Sequence, residues 1–338
     1  MHTNHPIIFV VGASRTGTTA MARMLRASGR VWMARELHFF ERLCPDRLLH
    51  EPVNDAGRDR LWRALQHTQA VGIMHEKRPA SSATPAQPVP PRQPDEHTPM
   101  DVYAAFIRAQ AGDGIPCDHT PRNVYYLKEI LAKWPDARII VMLRDPRDVL
   151  LSQKNKWKRI RHKDVSMPLR EAFRLWINYH PITTSWLWRS SVRAARAWTD
   201  HPHVLFCSFE ALVSNPAEWG PRIAAHIGIP YHEIMLQVPQ KGSSHHPNQP
   251  EAKGFNADRA QHWKRTGGLN AAELWWCQTL CKRFMSLGGY EPGDSSRGWF
   301  FALWYALTWP VKALAAACMN ASRMANIKDP LLRRTRKY

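Results

Sequence analysis

Acidic residues are scarce in this chain. Its 338 residues carry 28 Asp and Glu against 47 Lys and Arg, a formal net charge of +19. That excess favours anionic partners: nucleotides, sulfated or phosphorylated sugars, nucleic acid or anionic lipid, and charge by itself does not choose among them. CxxC pairs are absent as well. Cys44, Cys117, Cys207, Cys277, Cys281 and Cys318 stand apart, which excludes a zinc ribbon or a dithiol redox motif. Cys277 and Cys281 lie one helical turn apart with no second ligand pair of matching spacing, so they read as buried thiols and no metal is expected. The opening "MHTNHPIIFVVG" shows no basic region, apolar stretch and cleavage site in succession. The expectation is a cytoplasmic, reducing location. With 44% hydrophobic residues the chain can bury a sizeable core, which rules out wholesale disorder and suits one large α/β domain or two smaller ones.

One further residue is missing where it would be looked for. In "IIFVVGASRTGTTAMARMLRASG" (7–29), Gly12 and Gly17 have the spacing of a phosphate-binding loop, G-x-x-x-x-G-K-[ST], yet Thr18 stands where the lysine belongs. A strand that runs through such a turn into a helix is an anion site by geometry, since the first helical N–H groups lack partners and the helix dipole favours negative charge. Arg15 adds a guanidinium fork, and Thr16, Thr18 and Thr19 add hydroxyls. A tight turn without a ligand would read the same way. A second element, "RDPRDVLLS", ends a strand at Arg144 and places Ser152 eight residues later in the next helix. Arginine and serine together suit one more phosphate. The alternative, a magnesium-binding strand with Asp145 on the metal, would want the loop lysine too.

The remaining pattern alternates strands and helices. "ARIIVMLRDP" (137–146) is a continuous apolar run, as in a parallel sheet covered on both faces, and "HVLFCSFE" (203–210) is a third strand. Helices are expected at 18–29, 55–75, 100–111, 122–134, from about 146, at 169–178, 183–199, 217–227 and 271–287. Seven prolines between Pro79 and Pro99 make 76–100 an exposed loop insertion. The whole predicts an α/β fold, a single P-loop-type domain with a central parallel sheet flanked by helices, over 1–292. Residues 293–338 form an apolar and basic tail. Its segment 299–319 is apolar but interrupted by Lys312 and Pro310, which favours an interfacial or docked helix over a clean span, and "LLRRTRKY" would suit anionic lipid.

The pairing of "GASRTGTTAMARML" with "IIVMLRDPRDVLLS" resembles the sulfotransferases that use 3′-phosphoadenosine 5′-phosphosulfate (PAPS), over roughly residues 7–290. The resemblance accounts for the missing lysine, because the donor is no triphosphate. It implies that Arg15, Thr16, Gly17, Thr18 and Thr19 hold the 5′-phosphosulfate and that Arg144 and Ser152 hold the 3′-phosphate. "RELHFF" (35–40) is similar to a segment of the heparan-type members whose glutamate is the general base, which maps to Glu36 with His38 beside it. A catalytic set of Glu36, Arg15 and His38 follows, with the Glu36 pKa expected to be raised by Phe39 and Phe40. "DHTPRNVYYL" (118–127) matches a family segment except that His119 replaces its lysine, "FCSFEALVSNP" places Phe209 at a family tyrosine, and "GFNADRAQHWKR" (254–265) brings Trp263 and Lys264 to the cofactor. The implied reaction is transfer of a sulfuryl group from PAPS to a saccharide or lipid-linked acceptor; the net charge and the tail add an anionic membrane surface as an expected partner, and nucleic acid is not expected. Two other readings remain at this point: a nucleotide kinase with an altered loop, and a non-catalytic polyanion- or membrane-binding protein on the same fold. The basic run Lys154, Lys156, Lys158, Arg159, Arg161 and Lys163 reads as a solvated face or an acceptor surface, and the adjacent His245 and His246 are poorly placed to chelate together.

Overall fold

The computed structural model describes residues 5–72, 88–161, 168–240, 249–266, 268–320 and 328–336. Strand β1 (Ile8–Gly12) leads into helix α1 (Thr18–Ala27), then β2 (Val31–Met33) and a single π-type turn at Phe39–Leu43. Helix α2 (Asp55–Val71) and helix α3 (Pro99–Ala111) precede β3 (Ile115–Asp118). A 3₁₀ segment at 121–126 passes into α4 (Leu127–Lys133), followed by β4 (Arg138–Leu143) and α5 (Pro146–Lys154). Helices α6 (Leu169–Ile177) and α7 (Pro181–Arg196) precede β5 (Val204–Ser208), α8 (Phe209–Ser214) and α9 (Pro216–Ile227). A small antiparallel pair, β6 (Pro239–Gln240) and β7 (Gln249–Lys253), leads to α10 (His262–Thr266), α11 (Ala271–Met285), α12 (Trp299–Asn320) and α13 (Lys328–Thr335).

The five main strands form one parallel sheet in the order β2-β3-β1-β4-β5. Alternate residues of β1 and β4 feed two separate cores, which explains why both strands read as unbroken apolar runs. Phe9, Val11, Ile139 and Val141 pack toward α3, α7 and α11, while Ile8, Val10, Ile140 and Met142 pack toward α1 and α9. The strand order reverses around β1, so the crevice for a ligand lies beyond its carboxyl end, where the ends of β2, β3 and β4 also converge.

Several expected elements differ in detail. The helix expected at 122–134 is a 3₁₀ segment followed by two turns of α4. The Thr98–Asp101 capping box starts α3 at Pro99, and residues 73–87, which include much of the proline-rich insertion, lie outside the described ones. Strand β3, "IPCD", carried no sequence signal: it is four residues long and contains Pro116. The basic tail also departs from expectation. Instead of facing lipid, Arg333 in α13 is buried and bonds Asp46, Glu129 and the Tyr125 carbonyl at 2.5, 2.9 and 3.0 Å, while Arg334 bonds Glu41 at 2.7 Å. These guanidiniums serve as internal counter-ions.

Candidate active site

The loop after β1 is fixed by backbone demands. Gly12 has φ of 146°, and a Cβ there would collide with the Met142 carbonyl of the neighbouring strand. Gly17 has φ of 100°, and a Cβ there would come within 2.6 Å of the Phe209 ring. Only glycine fits either position. Gly17 caps α1 without any side-chain hydrogen bond, which leaves the first-turn amides facing the loop. Thr16 donates its hydroxyl to the Ala13 carbonyl at 2.7 Å, Thr18 is buried, and Thr19 is exposed. Arg15 is held in a left-handed conformation with φ of 77°, and its Nε donates to Ser152 Oγ at 3.0 Å. The two elements expected to grip separate phosphates thus touch directly.

Arg144 leaves the end of β4 beside them. Its backbone carbonyl accepts from Trp188 Nε1 at 3.0 Å, and its guanidinium donates to the carbonyls of Arg15 and Arg259 at 3.3 and 3.0 Å. The guanidinium lies over the Phe209 ring at 4.5 Å, with Nε buried and without a hydrogen-bond partner. Arg259 is a residue that sequence reasoning missed. Burial, and then the charges of Arg144 and Arg23, push its pKa below the ordinary value. Arg144, Arg259 and Arg23 thus concentrate positive charge beside the loop after β1.

Trp263 acts as a buttress. Its backbone N–H donates to Asp148 at 2.8 Å, its indole N–H donates to Asp145 at 3.2 Å, and the Arg147 guanidinium stacks on its ring at 4.2 Å. These contacts pin the late loop against the start of α5. Lys264 is exposed next to that ring. Asp145 caps α5 and forms a two-pronged pair with Arg147. Burial raises the Asp148 pKa to about 6, aided by Asp145 and Glu210 and opposed by Arg144 and the Trp263 amide. Lys154 is no solvated lysine: it donates to the buried carboxylate of Glu273 at 2.7 Å. The Arg159 and Arg161 side chains, Lys163, His245 and His246 lie outside the described residues.

Glu36 and His38 follow β2 and meet: His38 Nε2 and Glu36 Oε2 are 3.3 Å apart. The environment expected for Glu36 is corrected by the structure. His38 adopts a left-handed conformation, φ 49°, and starts a π-type turn that sends Phe39 and Phe40 into the core against Tyr103 and Tyr126. They do not surround the carboxylate. Burial does raise the Glu36 pKa, but the His38 hydrogen bond and the charges of His38, His119 and Lys156 outweigh it and bring the carboxyl to about 2. Its side chain keeps 42% exposure, so the Glu36 carboxylate is reachable from solvent beside His38. His119 is buried at the end of β3, where the Asp118 carboxylate accepts from Tyr103 Oη and the Thr120 amide at 2.7 Å each. Among the described residues, no group of three His, Cys, Asp or Glu side chains could hold a metal ion.

The geometry therefore places a glycine loop without lysine, the Arg15–Ser152 bond and the Glu36–His38 pair after the carboxyl ends of the strands. A family model described as the sulfotransferase family matches residues 6–233. The chain belongs to the sulfotransferase family. Among solved structures it is similar to the sulfotransferase domain of the olefin synthase from Synechococcus PCC 7002, at 19% identity and TM-score 0.50, covering 86% of this chain and 98% of that one. It is also similar to the sulfotransferase domain from the curacin biosynthetic pathway, at 16% identity and TM-score 0.51, covering 86% of this chain and 99% of that one. Identities this low establish the shared fold only. Among curated proteins no sequence matches the chain.

Proposed function

We propose that this sulfotransferase takes its sulfuryl group from PAPS and delivers it to a hydroxyl or amino group of a saccharide or glycolipid. The observation that carries the donor assignment is the arginine cluster. Arg144, stacked over Phe209, keeps a buried Nε without a hydrogen-bond partner in a region where Arg259 and Arg23 add positive charge, and a 3′-phosphate would accept from that donor. The loop glycines and the open amides at the start of α1 fit an anionic 5′-group, and Arg15 adds a fixed positive charge there. PAPS, when bound, supplies an electrophilic sulfuryl group on a phosphate leaving group. The chain's own residues supply charge neutralisation and a proton acceptor. Arg15 is always protonated, so it clamps charge but does not donate a proton. Glu36 alone, with a pKa of about 2, is a weak base. His38 Nε2 holds it at 3.3 Å while His38 Nδ1 is buried, so the half-exposed carboxylate is the group of the pair that can take the acceptor's proton.

The kinase reading is disfavoured by Asp145. A magnesium-binding carboxylate must be available, whereas both Asp145 oxygens are occupied by Arg147, at 2.8–3.2 Å, and Oδ2 also accepts from Trp263. The test is calorimetry with adenosine 3′,5′-bisphosphate and with 5′-AMP. The bisphosphate is expected to bind at least about tenfold more tightly, and Arg144→Ala is expected to remove that preference, since hydrogen bonds to charged groups contribute about 1.5–3 kcal/mol each. Equal affinity for the two nucleotides in the wild type would refute the donor assignment. The acceptor class is tested with radiolabelled PAPS and fractionated oligosaccharides and glycolipids, with Glu36→Gln as the inactive control.

A further inference from the structure

Helix α12 keeps its large apolar side chains exposed. Its face toward the protein combines alanines, with Ala302 buried, and a few hydrogen-bonding groups. Trp309 Nε1 donates to Thr183 at 3.0 Å, Asn270 donates to Tyr305 Oη at 3.1 Å, and Asn320 joins Asn178 and Arg174 at 2.8 Å each. The outward face is apolar along its length: Phe300, Leu303, Trp304, Leu307, Val311 and Leu314 recur at helical spacing with exposures of 58–73%. Helix α6 extends this surface. Its Leu169, Phe173 and Trp176 are spaced as one stripe and exposed, and Lys312 of α12 lies over the Trp176 ring at 4.7 Å. A continuous apolar face on two helices is a contact surface.

We propose that this face binds an anionic membrane, with α12 lying in the plane of the lipid headgroups. Charge selects the occupant. From Ser295 to Lys328 the sequence has no Asp or Glu, while Arg297 precedes the helix, Lys312 sits within it and the exposed Arg170 lies between Leu169 and Phe173. The rings of Trp299, Phe300, Phe301 and Trp304 are the side chains that favour a membrane–water boundary. Twenty-two residues reach about 33 Å, enough to cross a bilayer. Crossing is opposed by α13. If α12 spanned, α13 would emerge on the far side, and Glu41, Asp46 and Glu129 would lose Arg334 and Arg333. A helix bonded to the domain along one face and pinned after its end lies flat. This proposal stands apart from the donor and acceptor assignments.

The test is flotation of the full-length chain with vesicles of phosphatidylcholine plus phosphatidylglycerol and with vesicles of phosphatidylcholine alone, with gel filtration in parallel. The chain is expected to float with the anionic vesicles and to be released by salt. Leu307→Glu is expected to lower that binding about tenfold or more, because it puts a charge where the leucine would leave water. Phe173→Glu, on the other helix, is expected to lower it as well. Should Leu307→Glu prove unstable, Phe173→Glu decides alone. Absence of flotation, or wild-type flotation by both variants, overturns the proposal. So does a dimer that Leu307→Glu converts to a monomer, which would make the face a contact between two copies.

Discussion

Arg15 donates from Nε to the Ser152 hydroxyl at 3.0 Å, which ties the loop after β1 to the second turn of α5. Each residue thereby orients the other. Ser152 is buried and small, so Ser152→Ala removes one acceptor while leaving the packing intact. The variant is expected to bind adenosine 3′,5′-bisphosphate about tenfold more weakly, the loss of one charge-assisted bond. Because Arg15 loses this bond too, turnover is expected to fall further than affinity. Single-turnover kinetics beside calorimetry separate the two, and an unchanged turnover would show that Arg15 keeps its position without Ser152.

The Glu36–His38 pair predicts a pH signature. With its carboxyl at about 2, Glu36 stays ionised through any assay range, so the wild-type acid limb does not come from this group. Glu36→Gln keeps the shape and removes the charge, and turnover is expected to fall by about 10²–10⁴ with bisphosphate affinity unchanged. His38→Ala removes the hydrogen bond and the largest favourable charge, leaving burial as the dominant influence on Glu36. The Glu36 pKa then rises, and an acid limb is expected to move up into the accessible range. A pH–rate profile of His38→Ala with the wild-type shape would place the proton acceptor elsewhere.

Asp148 predicts a gain in stability. Its pKa is raised from 3.8 to about 6 by burial, so the folded state resists its ionisation. The cost is absent below about pH 3.8, grows as pH rises toward 6, and is complete above that. Asp148→Asn keeps an oxygen for the Trp263 amide and deletes the charge. The variant is expected to be more stable at pH 7.5 by about 1–3 kcal/mol, with the difference shrinking as pH falls below 6. Denaturant melts at pH 7.5 and pH 5 check the sign. A variant less stable at pH 7.5 would mean that Arg144 depends on this carboxylate more than burial penalises it.

The parts of the site legible in the sequence are those set by local geometry. Gly12, Gly17, Arg144 and Ser152 sit in short motifs whose spacing is imposed by a strand, a turn and a helix. Arg259 was not legible, because its role arises from the proximity of Arg23 and Arg144, which the fold brings together from three separate elements. Strand β3 was hidden for a similar reason: Ile115–Asp118 is held by β1 on one side and β2 on the other, and its own sequence says little. The environment of Glu36 was misread because two neighbouring phenylalanines look like its pocket. The left-handed turn at His38 sends them elsewhere.

The C-terminal segment shows how one pattern supports two physical roles. "RRTRK" reads equally as a lipid-facing cluster and as a set of counter-ions, and the partners that decide lie 204 to 293 residues earlier in the chain. Arg333 stacks on Tyr126 at 4.0 Å and bonds Asp46, Glu129 and the Tyr125 carbonyl, so the start of α4 and the segment at Asp46 are stitched by one side chain. Removing it leaves two carboxylates without their cation. Arg333→Ala is therefore expected to destabilise the fold by about 3–5 kcal/mol, and Arg333→Lys to recover only part of that, since an ammonium cannot reproduce the planar fork. Arg334→Ala acts differently: Glu41 keeps Arg122 at 2.7 Å, so the stability loss is expected to be smaller. A chain ended before Lys328 is expected to melt at lower temperature even in the absence of lipid. Thermal melts of these variants check the ranking. If Arg333→Ala melts with the wild type while losing vesicle binding, α13 serves the membrane and its ion pairs contribute little to the fold.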